Sequence, residues 1–258
     1  MSQLAAGDGR DPAAAPVGLD ALIARDPAHP ALPEALRRSA ERHAHLCPRQ
    51  VLGARLALAG AAALGIPLPQ ADKRLLAVVE SDGCFSDGVA VTANCWVGRR
   101  TMRVEDYGRV AVTLVDTHGG AAVRCRPQLD VRTRVGAWAA DAAALAAGGR
   151  ATGRGMAPTS AAGGIAADAV APRWAAYVLG YQRMPDDELV DVLPVTLTID
   201  PAAIISHPDR RAVCAVCGEE VSNGREVVGP AGTSCAACAD PAGAYYRPRE
   251  RGPSNHNA

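Results

Sequence analysis

Two pairs of cysteines near the C-terminus constrain the fold of this chain more than any other feature of its 258 residues. Cys214 and Cys217 form one CxxC pair, and Cys235 with Cys238 forms the second. This spacing lets one tight turn present two sulfurs to one ion, and Gly218 permits that turn after the first pair. Four thiolates satisfy tetrahedral zinc, so we predict a structural zinc site that folds a short module without an apolar core of its own.

The residues between the two pairs are predicted to form a hairpin, and the second pair is predicted to open a short helix. Residues 219–228 and Thr233 would supply the hairpin strands, which turn at Gly229 and Pro230. A redox-active CxxC is the alternative interpretation of each pair. Two pairs within one module favour the metal site over redox chemistry.

A second group of possible ligands lies in residues 43–48, which read HAHLCP. Residues two apart share one side of an extended backbone, so His43, His45 and Cys47 would point the same way. Imidazole and thiolate ligands together suit zinc, iron or copper. Pro48 is favoured at the first position of a helix, which places Cys47 at the positive end of the helix dipole and favours its thiolate. Two hydrogen-bonded histidines and a buried cysteine are the alternative.

A predicted strand–turn–helix unit carries two further cysteines. The apolar run over residues 75–79 has the length of a strand, and the turn after it ends at Cys84. Ser86 is predicted to cap a helix that starts at Asp87 and reaches Cys95. The two cysteines are candidate partners for the histidines, and Asp87 is a candidate to orient one of those histidines by a hydrogen bond. A capping role is the alternative for Asp87.

The remaining patterns predict further helices, strands and irregular segments. We predict helices over residues 31–42, 48–64, 138–147 and 172–181, with a short helical turn at Pro185. We predict strands over residues 109–116, 121–126 and 192–199. Residues 1–16 and 247–258 are predicted to be disordered tails, and the glycine- and alanine-rich residues 148–167 are predicted to be a loop or linker.

Composition and charge exclude some classes of function. The formal net charge is zero, which argues against a large non-specific nucleic-acid footprint. The first sixteen residues lack both the basic start and the apolar run of a secretory signal. The most apolar segment, residues 51–66, is interrupted by Arg55 and is too short to span a bilayer. Eight cysteines without an export signal therefore point to reduced thiols, metal or redox chemistry and a cytoplasmic location.

Several boxes along the chain resemble those of the E-subunit family of molybdenum and tungsten formylmethanofuran dehydrogenases. The family's His-Gly-His-x-Cys-Pro-Gly box is similar to residues 43–49, and its Glu-Asn-Asp-x-Cys-x-x-Asp box is similar to residues 80–87. The Thr-Gly-Cys-Thr-x-Gly and Asp-Tyr-Gly-Lys boxes are similar to residues 92–98 and 106–109. Residues 184–189 and 217–221 resemble the segment that links the family's core to its zinc finger. The resemblance covers most of residues 36–240, in the same order.

The resemblance implies an α+β core over residues 17–205, commonly in a tight homodimer, with a metal or redox-active cleft lined by the His and Cys boxes. It also implies a treble-clef-like zinc finger over residues 206–246. Ala44, Arg49 and Asn94 replace family glycines or neighbouring small residues. Larger side chains at these positions would narrow the cleft or change its charge, so we expect a ligand different from the family's usual one.

Our leading hypothesis is a metal-binding protein that performs redox or metal-dependent chemistry on a small molecule. The core site would hold a second transition metal, zinc or iron, and would be built from His43, His45, Cys47, Cys84 and Cys95. We predict Cys47 to be the reactive or ligating thiolate. The alternatives are a non-catalytic adaptor or regulator whose finger binds a partner protein or nucleic acid, and a metal-delivery protein with an exchangeable core ion.

Overall fold

The computed structural model divides the chain into two compact units, which are described separately. The first unit extends to Pro201 and the second begins at Ala202. The structure describes residues 19–43, 45–143, 172–205, 209–230 and 232–247. The predicted tails, apart from Arg247, and the predicted loop over residues 148–167 lie outside these ranges. Among the described residues, no helix has both the length and the apolar character needed to cross a bilayer.

A five-stranded mixed sheet, in the order β2-β1-β3-β4-β5, forms the centre of the first unit. β1 and β2 are parallel, and the other neighbours are antiparallel. All five residues of β1 and of β3 are buried, which is why their sequences are almost continuously apolar. The strands are β1 (Leu75–Val79), β2 (Met102–Val104), β3 (Val112–Asp116), β4 (Ala122–Pro127) and β5 (Val190–Pro194).

Helices of very different lengths surround this sheet, and the first unit is therefore α+β, as the resemblance implies. The longest, α3, contacts α2, α4 and the sheet strands β3, β4 and β5. In the described residues of the first unit the helices are α1 (Leu19–Leu22), α2 (Leu32–His43), α3 (Pro48–Ala63), α4 (Cys84–Ala93), α5 (Val131–Arg134), α6 (Pro172–Arg183) and α7 (Asp186–Leu189), and α8 (Pro201–Ile204) lies at the boundary of the two units.

The predicted start and end of α3 are confirmed. Cys47 is its N-cap residue, with extended φ and ψ of −136° and 163°, and Pro48 is the first helical residue. The helix closes where Gly65 takes a φ of +65° and donates its N–H to the carbonyl of Ala62 at 3.0 Å. Because α3 is buried on nearly all sides, it fixes the position of Cys47 firmly within the core.

The predicted start of α4 is wrong by one turn. The helix begins at Cys84 rather than Asp87, because Gly83 at its N-cap position turns the chain with a φ of +71°. Ser86 is already helical, and its hydroxyl donates to the carbonyl of Gly83 at 2.8 Å. The helix ends at Ala93, since Asn94 adopts the left-handed conformation. Cys84 therefore lies in the first turn of a helix and Cys95 lies beyond its end.

Two other boundaries differ from prediction. A 3₁₀ helix over Val135–Trp138 ends where a longer helix was expected to begin, and residues 144–147 lie outside the described ranges. β5 extends from Val190 to Pro194 and so ends before the predicted Ile199, although Val195 still donates its N–H to the carbonyl of Ala122 in β4 at 3.0 Å. The predicted helices over 31–42 and 172–181, the short helix after Pro185 and the hairpin of β3 and β4 are confirmed.

The described part of the second unit contains most of α8, two short hairpins and a further helical turn. β6 (Arg211–Val213) pairs with β7 (Glu220–Ser222), and β8 (Val227–Gly229) pairs with β9 (Gly232–Ser234). The turn predicted at Gly229 and Pro230 lies between β8 and β9. The short helix α9 (Ala236–Ala239) begins directly after Cys235, as predicted.

Candidate metal centre

Two histidines reach the same thiol from opposite sides of the connection between α2 and α3. His43 is the last residue of α2, and His45 follows it before Leu46, which is almost fully buried and anchors the connection. The His43 Nε2 atom lies 3.0 Å from the Cys84 sulfur, and the His45 Nε2 atom lies 3.9 Å from it. The three ligand atoms all lie within 4.8 Å of one another. The two histidines of the HxH sequence therefore form a three-donor group only together with Cys84, which is distant from them in the sequence.

Asp87 fixes the orientation of the His43 ring. Its Oδ2 atom lies 2.6 Å from His43 Nδ1, on the side of the ring opposite Cys84. A carboxylate accepts a hydrogen bond from Nδ1–H, which leaves the Nε2 lone pair directed at the sulfur. Asp87 comes three residues after Cys84 in α4, so both side chains project from the same face of that helix. The arrangement matches the orienting role predicted for Asp87.

Cys47 lies beside Cys84 and shares a side-chain hydrogen bond with it. Donating this bond, together with burial, raises the pKa of the Cys47 thiol far above its usual value. Accepting the bond from Cys47, with the charge of His43 and a hydrogen bond from His45, lowers the pKa of Cys84 to about 5. The hydrogen bond thus raises the pKa of the donor, Cys47, and lowers that of the acceptor, Cys84, whereas the role of Cys47 as the reactive or ligating thiolate stays a prediction.

A buried glutamine holds the Cys47 end of α3 against α2. The backbone N–H of Cys47 donates to Gln50 Oε1 at 2.7 Å, and the Gln50 amide donates to the Ser39 hydroxyl at 2.9 Å. Gln50 is fully buried, so its polar atoms need these partners. The bridge holds the start of α3 beside the end of α2, where His43 lies.

Two glycines bring the first turns of α3 and α4 into backbone contact. A Cβ atom at Gly53 would lie 2.2 Å from the carbonyl oxygen of Phe85, and one at Gly88 would lie 2.2 Å from that of Gln50. No other residue fits either position without moving a backbone. This close approach brings Cys47 and Cys84, each at the start of its helix, together. Glycine inside an apolar helical pattern was the sequence signal for this contact.

The structure does not bring Cys95 to the group. Its sulfur donates to the carbonyl of Leu75 at 3.4 Å, and only 1 % of the residue is exposed. Burial raises the pKa of this thiol to about 12, so it is a neutral core residue. The helix α4 ends at Ala93, so Cys95 lies beyond it, with its sulfur against Leu75 of β1 and outside the group of three ligand atoms. Cys125 is likewise buried in the core, where its sulfur abuts Gly60.

A buried ion-pair cluster lies directly after β1, at the start of the turn that leads to Cys84. Both carboxylate oxygens of Glu80 accept hydrogen bonds from Arg124, at 2.6 and 2.8 Å, and Arg109 lies 2.7 Å from the same carboxylate. The Arg124 hydrogen bonds lower the pKa of Glu80, so it stays charged. A buried charge paired in this two-pronged way is held rigidly. Glu80 thus anchors the start of the turn over residues 80–84.

We call His43, His45 and Cys84 the His/Cys core group. Their donor atoms fit a transition metal. Zinc bonds to imidazole nitrogen at about 2.0–2.1 Å and to thiolate at about 2.3 Å, so ligands of one ion lie within about 4.6 Å of each other. The measured separations need only small adjustments to reach that range. Each of the three residues is only partly buried, which leaves one side of the group accessible to solvent. Three protein donors match the composition of an open rather than a closed site.

The second unit holds a separate group of four sulfurs, from Cys214, Cys217, Cys235 and Cys238, within 4.8 Å of one another. The Gly218 N–H donates to the carbonyl of Cys214 at 2.9 Å, which closes the predicted tight turn. Backbone N–H groups of Cys217 and Cys235 lower the pKa of Cys214 to about 6, whereas the hydrogen bond with Cys235 raises that of Cys238 to about 12. Four sulfurs at these separations fit one tetrahedral zinc ion.

Comparison with known proteins gives one family and two individual similarities. The family model described as FmdE, molybdenum formylmethanofuran dehydrogenase operon, matches residues 42–191, more than half of the chain. A probable S-adenosyl-L-methionine-binding protein of Archaeoglobus fulgidus is 33 % identical over 92 residues. That match covers 34 % of this chain and about a quarter of the relative's own length. A tungsten formylmethanofuran dehydrogenase FmdE-like protein of Syntrophus aciditrophicus aligns over 82 % of this chain and 93 % of its own, at 16 % identity and a TM-score of 0.47.

Proposed function

The chain belongs to the FmdE family, and from that premise we propose that it is a metal-binding protein whose His/Cys core group supports metal-dependent chemistry on a small molecule. The observation that carries the proposal is the convergence of two imidazole nitrogens on the Cys84 sulfur. A bound transition metal would supply Lewis-acid or redox chemistry at its open position. The matched region includes all three residues of the group.

The surrounding side chains have distinct roles in this proposal. Asp87 keeps the His43 proton on Nδ1, so that Nε2 faces the site. Cys47 donates a hydrogen bond to the Cys84 sulfur, which keeps that sulfur ionised without a second thiolate close by. Because the three donors are partly exposed, a small molecule has access from solvent.

We also propose the identity of the ions and the state of the protein. Zinc occupies the four-cysteine group, because four thiolates form a closed site that is typical of a structural ion. Zinc or iron occupies the His/Cys core group. The homodimer and the cytoplasmic location expected from the sequence remain part of the proposal.

Metal analysis of matched variants tests the core site. We expect the wild type to bind one ion at each group and the Cys84→Ser variant to lose the core ion while keeping the ion of the second unit. Cys95→Ser is the control, since that thiol lies outside the group. Cobalt titration distinguishes the two sites, because a site with one thiolate and a site with four give different charge-transfer absorption. Full metal content in Cys84→Ser would overturn the proposal.

Exposed apolar side chains in the second unit favour a second candidate function, partner binding or metal delivery. Val216, Val228 and Tyr245 are 70 %, 77 % and 98 % exposed. Such side chains on a small module are typical of a protein-binding surface. Metal delivery requires that the core ion exchange rapidly with a chelator while the four-cysteine ion does not. A time course of chelator competition separates these two pools, and two equally slow pools would exclude delivery.

A further inference from the structure

We propose that Cys47 and Cys84 form a thiol–disulfide exchange site, in which a low-molecular-weight disulfide oxidises the pair and withdraws Cys84 from the His/Cys core group. Formation of this disulfide does not depend on the proposed function. Only its effect on metal binding rests on that function. Cys47 lies outside the three-donor group, and disulfide exchange gives its thiol a chemical role.

The first observation is that the two thiols already touch. They share a side-chain hydrogen bond, and both are free thiols. The contacts at Gly53 and Gly88 hold α3 and α4, the helices that carry the two thiols, close together. A disulfide places its sulfurs about 2 Å apart, so the reaction shortens an existing contact rather than creating one.

The second observation is accessibility, which separates this pair from the other two cysteines of the first unit. Cys47 and Cys84 are partly exposed, whereas Cys95 and Cys125 are 1 % and 0 % exposed. Attack on a dissolved disulfide requires a sulfur that the disulfide can reach. Within the described part of the first unit, only this pair meets that condition and has a partner thiol in contact.

The third observation is a proton acceptor in place. His43 Nε2 lies 3.0 Å from the Cys84 sulfur and His45 Nε2 lies 3.9 Å from it. Either imidazole nitrogen lies where it can accept the thiol proton as the Cys84 sulfur attacks. Cys47 then resolves the intermediate from the neighbouring position.

The reaction balances in two steps. The Cys84 thiolate attacks one sulfur of the dissolved disulfide RSSR, forming a mixed disulfide and releasing RS⁻, which takes up the imidazole-held proton. Cys47 loses its proton to solvent and attacks the Cys84 sulfur, forming the Cys47–Cys84 bond and releasing the second RS⁻, which is protonated from solvent. Two protein thiols are oxidised, and RSSR is reduced to two RSH.

A peptide map of the full chain tests the proposal. Metal-free protein is treated with oxidised glutathione, alkylated without reduction and digested with trypsin. Cleavage after arginine places Cys47 in the peptide of residues 43–49 and Cys84 in that of residues 75–99, which also contains Cys95. We expect these peptides joined, at a mass lower than their sum by two hydrogen atoms. Because digestion separates these peptides from those of the second unit, oxidation there does not interfere.

Matched variants locate the bond. The joined peptides are expected in Cys95→Ser and absent in Cys84→Ser and Cys47→Ser. The proposal is overturned if Cys95→Ser loses the product, or if wild-type Cys47 remains fully alkylatable while Cys84 carries glutathione. Retention of both thiols in reduced form after treatment also overturns it.

Added zinc separates this inference from the proposed function. At a zinc concentration ten times its dissociation constant, the unbound fraction falls about tenfold, and the rate of disulfide formation is expected to fall with it. A disulfide that forms at the same rate with and without zinc, in protein that binds no core ion, supports exchange and refutes the metal site. A core ion that binds, with no disulfide formed after its removal, supports the metal site and refutes exchange.

Discussion

The two groups of metal-binding side chains depend on the fold in opposite ways. The His/Cys core group takes its donors from the end of α2, the following connection and the start of α4, all held by a large buried core. In the second unit, only Ile204 and Cys214 among the described apolar residues and cysteines are buried. We propose that a module with so little core needs a bound ion to fold. The fold of the first unit positions the donors of the core group, whereas in the second unit we expect the ion to position the fold.

The sharpest test of this contrast removes one ligand from each group. We expect Cys235→Ser to unfold the second unit almost completely while the first unit keeps its structure, because the four-cysteine ion replaces the missing core. Cys84→Ser is the matched change and should leave both units folded. Backbone amide NMR spectra measure both outcomes. A folded second unit in Cys235→Ser, or an unfolded first unit in Cys84→Ser, would contradict the comparison.

The glycine contact in the first unit should be costly to alter. Gly88→Ala places a Cβ 2.2 Å from the backbone oxygen of Gln50, so we expect the free energy of unfolding to fall by about 1–3 kcal/mol. Alanine otherwise favours a helix, so the clash decides the sign. Gly98→Ala is the control, since nothing lies within 4 Å of its added Cβ. Urea denaturation measures both variants, and equal stabilities would mean that the helices are not held in contact.

Loss of the Asp87 charge should weaken the core ion without unfolding the protein. We expect Asp87→Asn to lower the affinity for the core metal by about 10- to 100-fold, because the His43 ring loses the carboxylate that orients it. Asp82→Asn, at an exposed position in the turn before α4, is the matched control. Titration against a coloured chelator measures the affinity. An unchanged affinity in Asp87→Asn would show that the ring is oriented by other contacts.

The smallest predicted effect is on the pH dependence of alkylation, which should differ between the Cys84 thiol and the neighbouring Cys47 thiol. Because the pKa of Cys84 is lowered to about 5, metal-free protein should react with iodoacetamide at Cys84 at neutral pH, with a rate that falls about tenfold per pH unit below 5. Cys47 should react only after Cys84 is removed or at far higher pH. The same shift stabilises the fold above pH 9, and this contribution is lost as the pH falls towards 5. Equal rates for both thiols would exclude this assignment.

Local sequence patterns predicted most element positions in the first unit. Pro48 after Cys47 marked the start of α3, and the apolar run over residues 75–79 matched β1. Such signals depend only on neighbouring residues, so they are readable without the fold. The start of α4 was missed because the Gly83 conformation, not the Ser86 side chain, sets it. This three-residue displacement places Cys84, like Cys47, at the start of a helix.

The sequence by itself determined the donor types, the CxxC pairs and the family boxes, because spacing along the chain is enough to define a tight turn or a helix start. Only the tertiary structure decided the membership of the core group. It placed Cys84 between two histidines, put Cys47 beside Cys84 as a hydrogen-bond donor and buried Cys95 under β1. These positions depend on two helices that meet at Gly53 and Gly88, a contact between residues far apart in sequence. The two glycines are visible in the helical pattern, but the local sequence does not say which distant segment each of them contacts.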